Sequence, residues 1–133
     1  MGLALKKFEH DYSENRIPAA LKSLESDTKG ATKNLSVDFD WNSFGEDKAA
    51  MDGAWSCWEQ SLQGVKAVCE DEIGAAAVKK GLKKIKIVNL KKSGPAVLNF
   101  KGGTLTMSVY FADGTSQSPG WTAVQQCLEE GLD

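Results

Sequence analysis

The chain has 133 residues, 41% of them hydrophobic and 26% charged, with a formal net charge of −2. That is the make-up of one soluble globular domain over residues 1–133, long enough to enclose its own core, and it excludes a disordered or collagen-like chain. No apolar run approaches the ~20 residues a bilayer crossing needs, and the opening MGLALKKFEHDY lacks the apolar centre of a secretory signal, so no membrane contact and a cytoplasmic location are expected.

The first element expected is a helix from about Leu3 to Lys29. Leu5, Phe8 and Tyr12 are spaced by three and four residues, and Ile17, Leu21 and Leu24 extend the apolar face. Pro18 lacks the N–H a helix interior uses, which predicts two short helices or a kink, with Gly30 as the stop. Residues 34–41, NLSVDFDW, alternate: Leu35, Val37, Phe39 and Trp41 fall on one side, Ser36, Asp38 and Asp40 on the other. Period two predicts a strand with one dry face.

From Phe44 to about Cys69 the period becomes helical, through Trp55, Trp58, Leu62 and Val65. Gly45, Gly53 and Gly64 weaken it, each by up to ~1 kcal/mol relative to alanine. Ser43 and Glu46 form S-x-x-E, the spacing of a capping box that would open this helix. A further helix is predicted from Asp71 to Leu82, then strands at 84–90, 96–100 and 104–112, the last two joined by a tight turn at Gly102-Gly103. Ser118 as N-cap and Pro119 at the first helical position predict a closing helix with Trp121, Val124 and Leu128 inward. The expected architecture is α+β: an antiparallel sheet of about four strands with helices packed on one face, in the order α-β-α-β-β-β-α.

Charge is spread unevenly. Residues 1–72 carry a net −6, residues 73–112 a net +8 with no acid at all, and residues 113–133 a net −4. Two candidate surfaces follow. Asp38, Asp40, Glu46 and Asp47 form a candidate acidic partner-binding surface; Lys79, Lys80, Lys83, Lys84, Lys86, Lys91 and Lys92 form a candidate basic patch. The patch is lysine throughout and the chain has one arginine, Arg16. Planar, bidentate reading of bases and phosphates favours arginine, so nucleic acid is disfavoured as a partner relative to another protein.

Metal and catalytic readings of DFDWNSFGED are weaker. As a calcium loop, Asp38, Asp40 and Asn42 fill the first, third and fifth positions, but Ser43 stands where glycine is needed and Ala49 where the bidentate glutamate belongs. The D-x-D pair resembles the first-strand motif of haloacid-dehalogenase-like phosphatases, in which the first aspartate is a nucleophile; the resemblance covers Leu35 to Asn42 only. The cysteines, Cys57, Cys69 and Cys127, are odd in number and fit buried thiols in a reducing compartment. His10 is the only histidine, and no nucleophile elbow or phosphate loop occurs. The indoles are expected in the core, with Trp58 the candidate to border a groove. No cofactor or metal is expected. The function expected is a small non-catalytic protein-binding or regulatory protein of bacterial type, such as an immunity or inhibitor protein. The alternatives are a weak nucleic-acid-binding module over 79–101 and a small enzyme with an unrecognised site.

Overall fold

A computed structural model describes residues 3–45, 47–113 and 119–132. In chain order these form α1 (Leu3–Asp11), a π-helical turn (Tyr12–Arg16), α2 (Ile17–Asp27), β1 (Ser36–Phe39), a short α3 (Trp41–Phe44), α4 (Lys48–Val68), α5 (Glu72–Gly81), β2 (Lys84–Asn89), β3 (Val97–Lys101), β4 (Thr104–Val109), a 3-10 turn (Phe111–Asp113) and α6 (Trp121–Gly131).

The break expected at Pro18 takes a specific form. The proline sits at the start of α2, and the turn before it widens, so that Ile17 N–H reaches back to Tyr12 O. Widening absorbs the donor that proline cannot supply. The turn also commits Arg16: its Nε pairs with Asp11 Oδ2 at 3.2 Å, and its guanidinium lies over the Tyr12 ring at 5.0 Å and the Trp55 ring at 5.8 Å.

The class is α+β, with a sheet that is mixed where an antiparallel one was expected. Strand order is β1-β2-β4-β3; β1 runs parallel to β2, β2 parallel to β4, and only β3 and β4 are antiparallel. The reason is length of connection. Residues 40–83 separate β1 from β2 and contain α3, α4 and α5, enough chain to cross over and return parallel. β3 goes to the far edge, and the Gly102-Gly103 turn, with both φ positive (58° and 83°), folds β4 back into the gap beside β2.

One sheet face is dry. Phe39, Ile85, Ile87, Leu105, Met107 and Val109 are buried there, with Val37, Leu98 and Phe100 half-buried, and α4 and α6 pack against this side. The dry face expected for the first strand holds at Val37 and Phe39, but β1 ends at Phe39, and Trp41, expected on the same strand, begins α3 instead. On the other face Asp38, Lys84, Asn99 and Lys101 are exposed, and Lys86, Thr104 and Thr106 half-exposed.

Two helix starts differ from expectation. α4 begins at Lys48 with Asp47 as its cap, the carboxylate accepting from Ala50 N–H at 3.0 Å. Ser43 therefore caps nothing; it lies inside α3, and Glu46 lies outside the described residues. α6 begins at Trp121 after an extended Gly120, and the cap comes from another helix: Gln60 Oε1 accepts from Trp121 N–H at 3.1 Å. Ser118 lies outside the described residues.

Candidate binding surfaces

The four acids of the first candidate surface do not share one role. Asp38 sits on the open sheet face directly across from Lys86, its register partner on β2. Asp40 ends β1: its N–H donates to Ile87 O at 2.9 Å and its C=O accepts from Ser43 Oγ at 2.6 Å. The Asp47 carboxylate is occupied as a helix cap. Glu46 lies outside the described residues. Asp38 and Asp40 do line a shallow recess of about 350 Å3 with Glu9 and Lys86. Among the described residues no group of three or more His, Cys, Asp or Glu is placed to hold a metal ion. Although β1 feeds a parallel crossover, Asp38 points from its open face, across from an ammonium, and not from its C-terminal end.

The seven lysines of the second candidate surface split in two. Lys79 and Lys80 lie in the last turn of α5, and Lys83 Nζ donates back to Lys79 O at 3.2 Å. Lys83 N–H and Lys84 N–H both donate to Gly103 O, at 2.8 and 3.1 Å, which fastens the β3–β4 turn to this corner. Lys101, the last lysine of the expected 79–101 segment, joins them: Lys84 and Lys101 flank Thr104 in register. Lys86 is one row further up, opposite Asp38. Lys91 and Lys92 follow the other end of β2. At ~3.3 Å per residue the strand places about 17 Å between Lys84 and Asn89, with those two lysines beyond it.

A third surface was not foreseen. A groove of about 540 Å3 runs along α2 and α4 to the start of α6. Ala20, Leu24, Leu62, Ala67, Trp55 and Trp121 supply its apolar lining. The groove exists because α2 turns small residues, Ala20 and Ser23, toward α4. Exposed Asp27, Glu59 and Glu70 share the lining, and Lys66 pairs with Asp27 at 3.6 Å. The indoles that border it are Trp55 and Trp121; Trp58 is fully buried against Phe39. The signal available in the sequence was the width of the apolar face of α4. Trp55 and Leu62 are seven residues apart, outside the stripe formed by Ala54, Cys57, Trp58, Ser61 and Val65, so the helix has more apolar surface than one contact uses.

Of the thiols, Cys69 lines a recess with Glu70, Asp71 and Lys79. Cys57 is buried in α4, and Cys69 and Cys127 are half-buried. Burial, then the negative charge of Asp71, pushes the Cys69 thiol up to about 11; burial and Glu130 raise that of Cys127. Neither is activated as a nucleophile. His10 is exposed on α1.

No protein-family model, curated protein or solved structure matches this chain. Among the described residues no helix is long and apolar enough to cross a membrane.

Proposed function

We propose that this chain is a non-catalytic protein-binding module, of the regulatory or inhibitor kind, that takes a basic amphipathic helix of its partner in the α2–α4 groove. The groove is the observation that carries the reading. A helix laid in a groove contributes an apolar stripe at i, i+3, i+4 and i+7. Here that stripe would meet Leu24, Leu62 and the indoles of Trp55 and Trp121, and aromatic anchors of this kind dominate binding energy where they are desolvated. Glu59 and Glu70 would face the polar flanks of the incoming helix. With Lys66 occupied by Asp27, the charge left at the rim is negative, which selects lysine and arginine in the partner.

The test is a selection from a displayed library of helical peptides against the parent protein, followed by titration of the selected peptides with indole fluorescence as the readout. Peptides with an apolar stripe and basic flanks are expected to dominate. Reversing the rim with Glu59→Lys and Glu70→Lys should weaken them at least tenfold, and filling the groove with Ala20→Arg should abolish them. Selected peptides that bind both variants as tightly as the parent would place the binding surface elsewhere.

A further inference from the structure

We infer that the lysine corner of the sheet, formed by Lys79, Lys80, Lys83, Lys84 and Lys101, is a contact surface for the phosphate backbone of nucleic acid, bound without regard to base sequence. None of these five lysines lines the α2–α4 groove.

Three observations converge. The first is concentration of charge. Five ammonium groups, all exposed, come from the end of α5, the start of β2 and the end of β3, and the backbone bonds to Gly103 O hold these elements together. Lys84 and Lys101 are two strand spacings apart, about 10 Å, with Thr104 between them. The second is lack of neutralisation. Residues 73–112 contain no acid, and among the described residues none of the five lysines forms an ion pair. Acids do flank the α5 side: Lys79 lines a recess with Asp27, Glu70, Asp71 and Glu72, and Lys80 one with Glu72, while Glu129 and Glu130 stand in the last turn of α6. No acid shares a recess with Lys83, Lys84 or Lys101 among the described residues, and charges beyond a Debye length of ~8 Å are largely screened at physiological salt.

The third observation separates phosphate from an acidic protein. Protein interfaces need a desolvated apolar centre. The five lysines enclose little of one: between them are buried Leu82, Gly102, Gly103 and Thr104, the recess beside Lys80 with Ala77, Phe100 and Leu132 is only about 260 Å3, and exposed Ile73 stands two helical turns from Lys80. A duplex needs only charge, since it presents one negative charge per ~1.7 Å of axis. The neighbouring open face continues with Thr106 and the Asn99 amide, donors of the kind that bind phosphate oxygen, while Asp38 beside Lys86 repels a polyanion on the β1 side. The one arginine is held by Asp11, Tyr12 and Trp55, so no planar fork is available at this corner to read a base edge.

The experiment is fluorescence anisotropy of a labelled mixed-sequence 20-base-pair duplex titrated with the full chain at several salt concentrations. A dissociation constant of about 10⁻⁶–10⁻⁴ M is expected, with a log–log salt slope of about −4 to −5 for five neutralised phosphates. Lys79→Gln, Lys83→Gln and Lys84→Gln combined should bring the slope to about −2, one unit per lysine. Lys91→Gln with Lys92→Gln should leave it unchanged, and exchanging the duplex sequence should alter affinity less than twofold. Matching thermal melts confirm that the variants fold, which these exposed side chains permit. No binding at 10⁻⁴ M, a slope that the triple variant does not reduce, an equal loss in the Lys91/Lys92 variant, or displacement by polyglutamate at the same charge concentration as the duplex would overturn the inference.

Discussion

Asn89 connects three elements through its side chain and its backbone N–H. Its backbone N–H donates to Ser43 Oγ at 3.0 Å, its Nδ2 donates to Ser43 O at 3.1 Å, and its Oδ1 accepts from Phe111 N–H at 3.2 Å. Together these tie the end of β2 to α3 and to the turn after β4. Truncation leaves two part-buried backbone groups unpaired, so Asn89→Ala should lower stability by about 2–4 kcal/mol, at ~1–3 for each such group after partial rehydration. Ser43→Ala, which loses one accepted bond and one donated bond, should lower it by about 1–2 kcal/mol. Denaturant melts that rank Ser43→Ala as the worse of the two would show that the network is not centred on Asn89. At Cys69 the titration is displaced. Its neutral thiol is the form that burial favours, so the stability it contributes is fully present below about pH 9 and declines as the pH rises toward 11. Alkylation at this site follows the thiolate, so its rate should keep climbing to a midpoint near pH 11, measured by mass mapping after timed iodoacetamide exposure. A midpoint near 8.5, that of an unperturbed thiol, would mean that the side chain is solvated.

At the scale of elements, α4 and α6 lie close because α4 has glycine at their contact. A Cβ built at Gly64 would come within 2.7 Å of Val124 Cβ and 2.8 Å of Trp121 O. Gly64→Ala should therefore destabilise by about 1–3 kcal/mol despite alanine's better helix propensity, because a backbone carbonyl has little room to retreat. A more stable variant would mean that the helices separate freely. The same residue shows what the sequence conceals. Read alone, Gly64 weakens a helix; its purpose appears only when Val124, sixty residues away, is placed against it. The strands behaved in the same manner. Alternation in SVDF and TLTMSV identified the dry side of each, because one-sided burial writes a period of two into a strand. It carried nothing about neighbours. β2 and β3 are consecutive and look like a hairpin, yet β4 separates them, a fact fixed by long-range register and not by any local spacing. The crossover from β1 to β2 was legible in principle, since three helical pieces intervene and parallel strands require such a connection. Of the site, the lysines were visible as a run, but the corner was not. Lys101 reaches it through the Gly102-Gly103 turn, and Lys91 and Lys92 leave it because β2 is extended.

Taken whole, the molecule keeps its apolar groove with carboxylates on the helical side and its lysines at one corner of the sheet. Glu70 and Asp27 of the groove share a recess with Lys79, whereas Glu59 and Lys83 share none and belong to separate elements, so substitutions at this last pair should combine to within about 0.5 kcal/mol, the usual limit of additivity for independent sites. A double-mutant cycle between Glu59→Lys and Lys83→Gln, read by both peptide and duplex binding, checks this; a larger coupling would join the surfaces into one site. The sheet order also has a consequence for the birth of the protein. β1 is the first strand to leave the ribosome, yet among the described residues its only strand partner is β2, 44 residues later, and β2 in turn is completed by β4. The early contacts available to the nascent chain are local helices, while the dry faces of α1 through α4, with Tyr12, Trp41 and Trp58 on them, have no sheet to cover. Closing so long a connection delays folding. A chain arrested so that residues 1–83 have emerged should be helical, protease-sensitive and without a cooperative transition, whereas release of the full chain should confer resistance in one step. The last third of the sequence thus supplies the cover for the first two, whose aromatic side chains meet their sheet only when β4 slides into the gap.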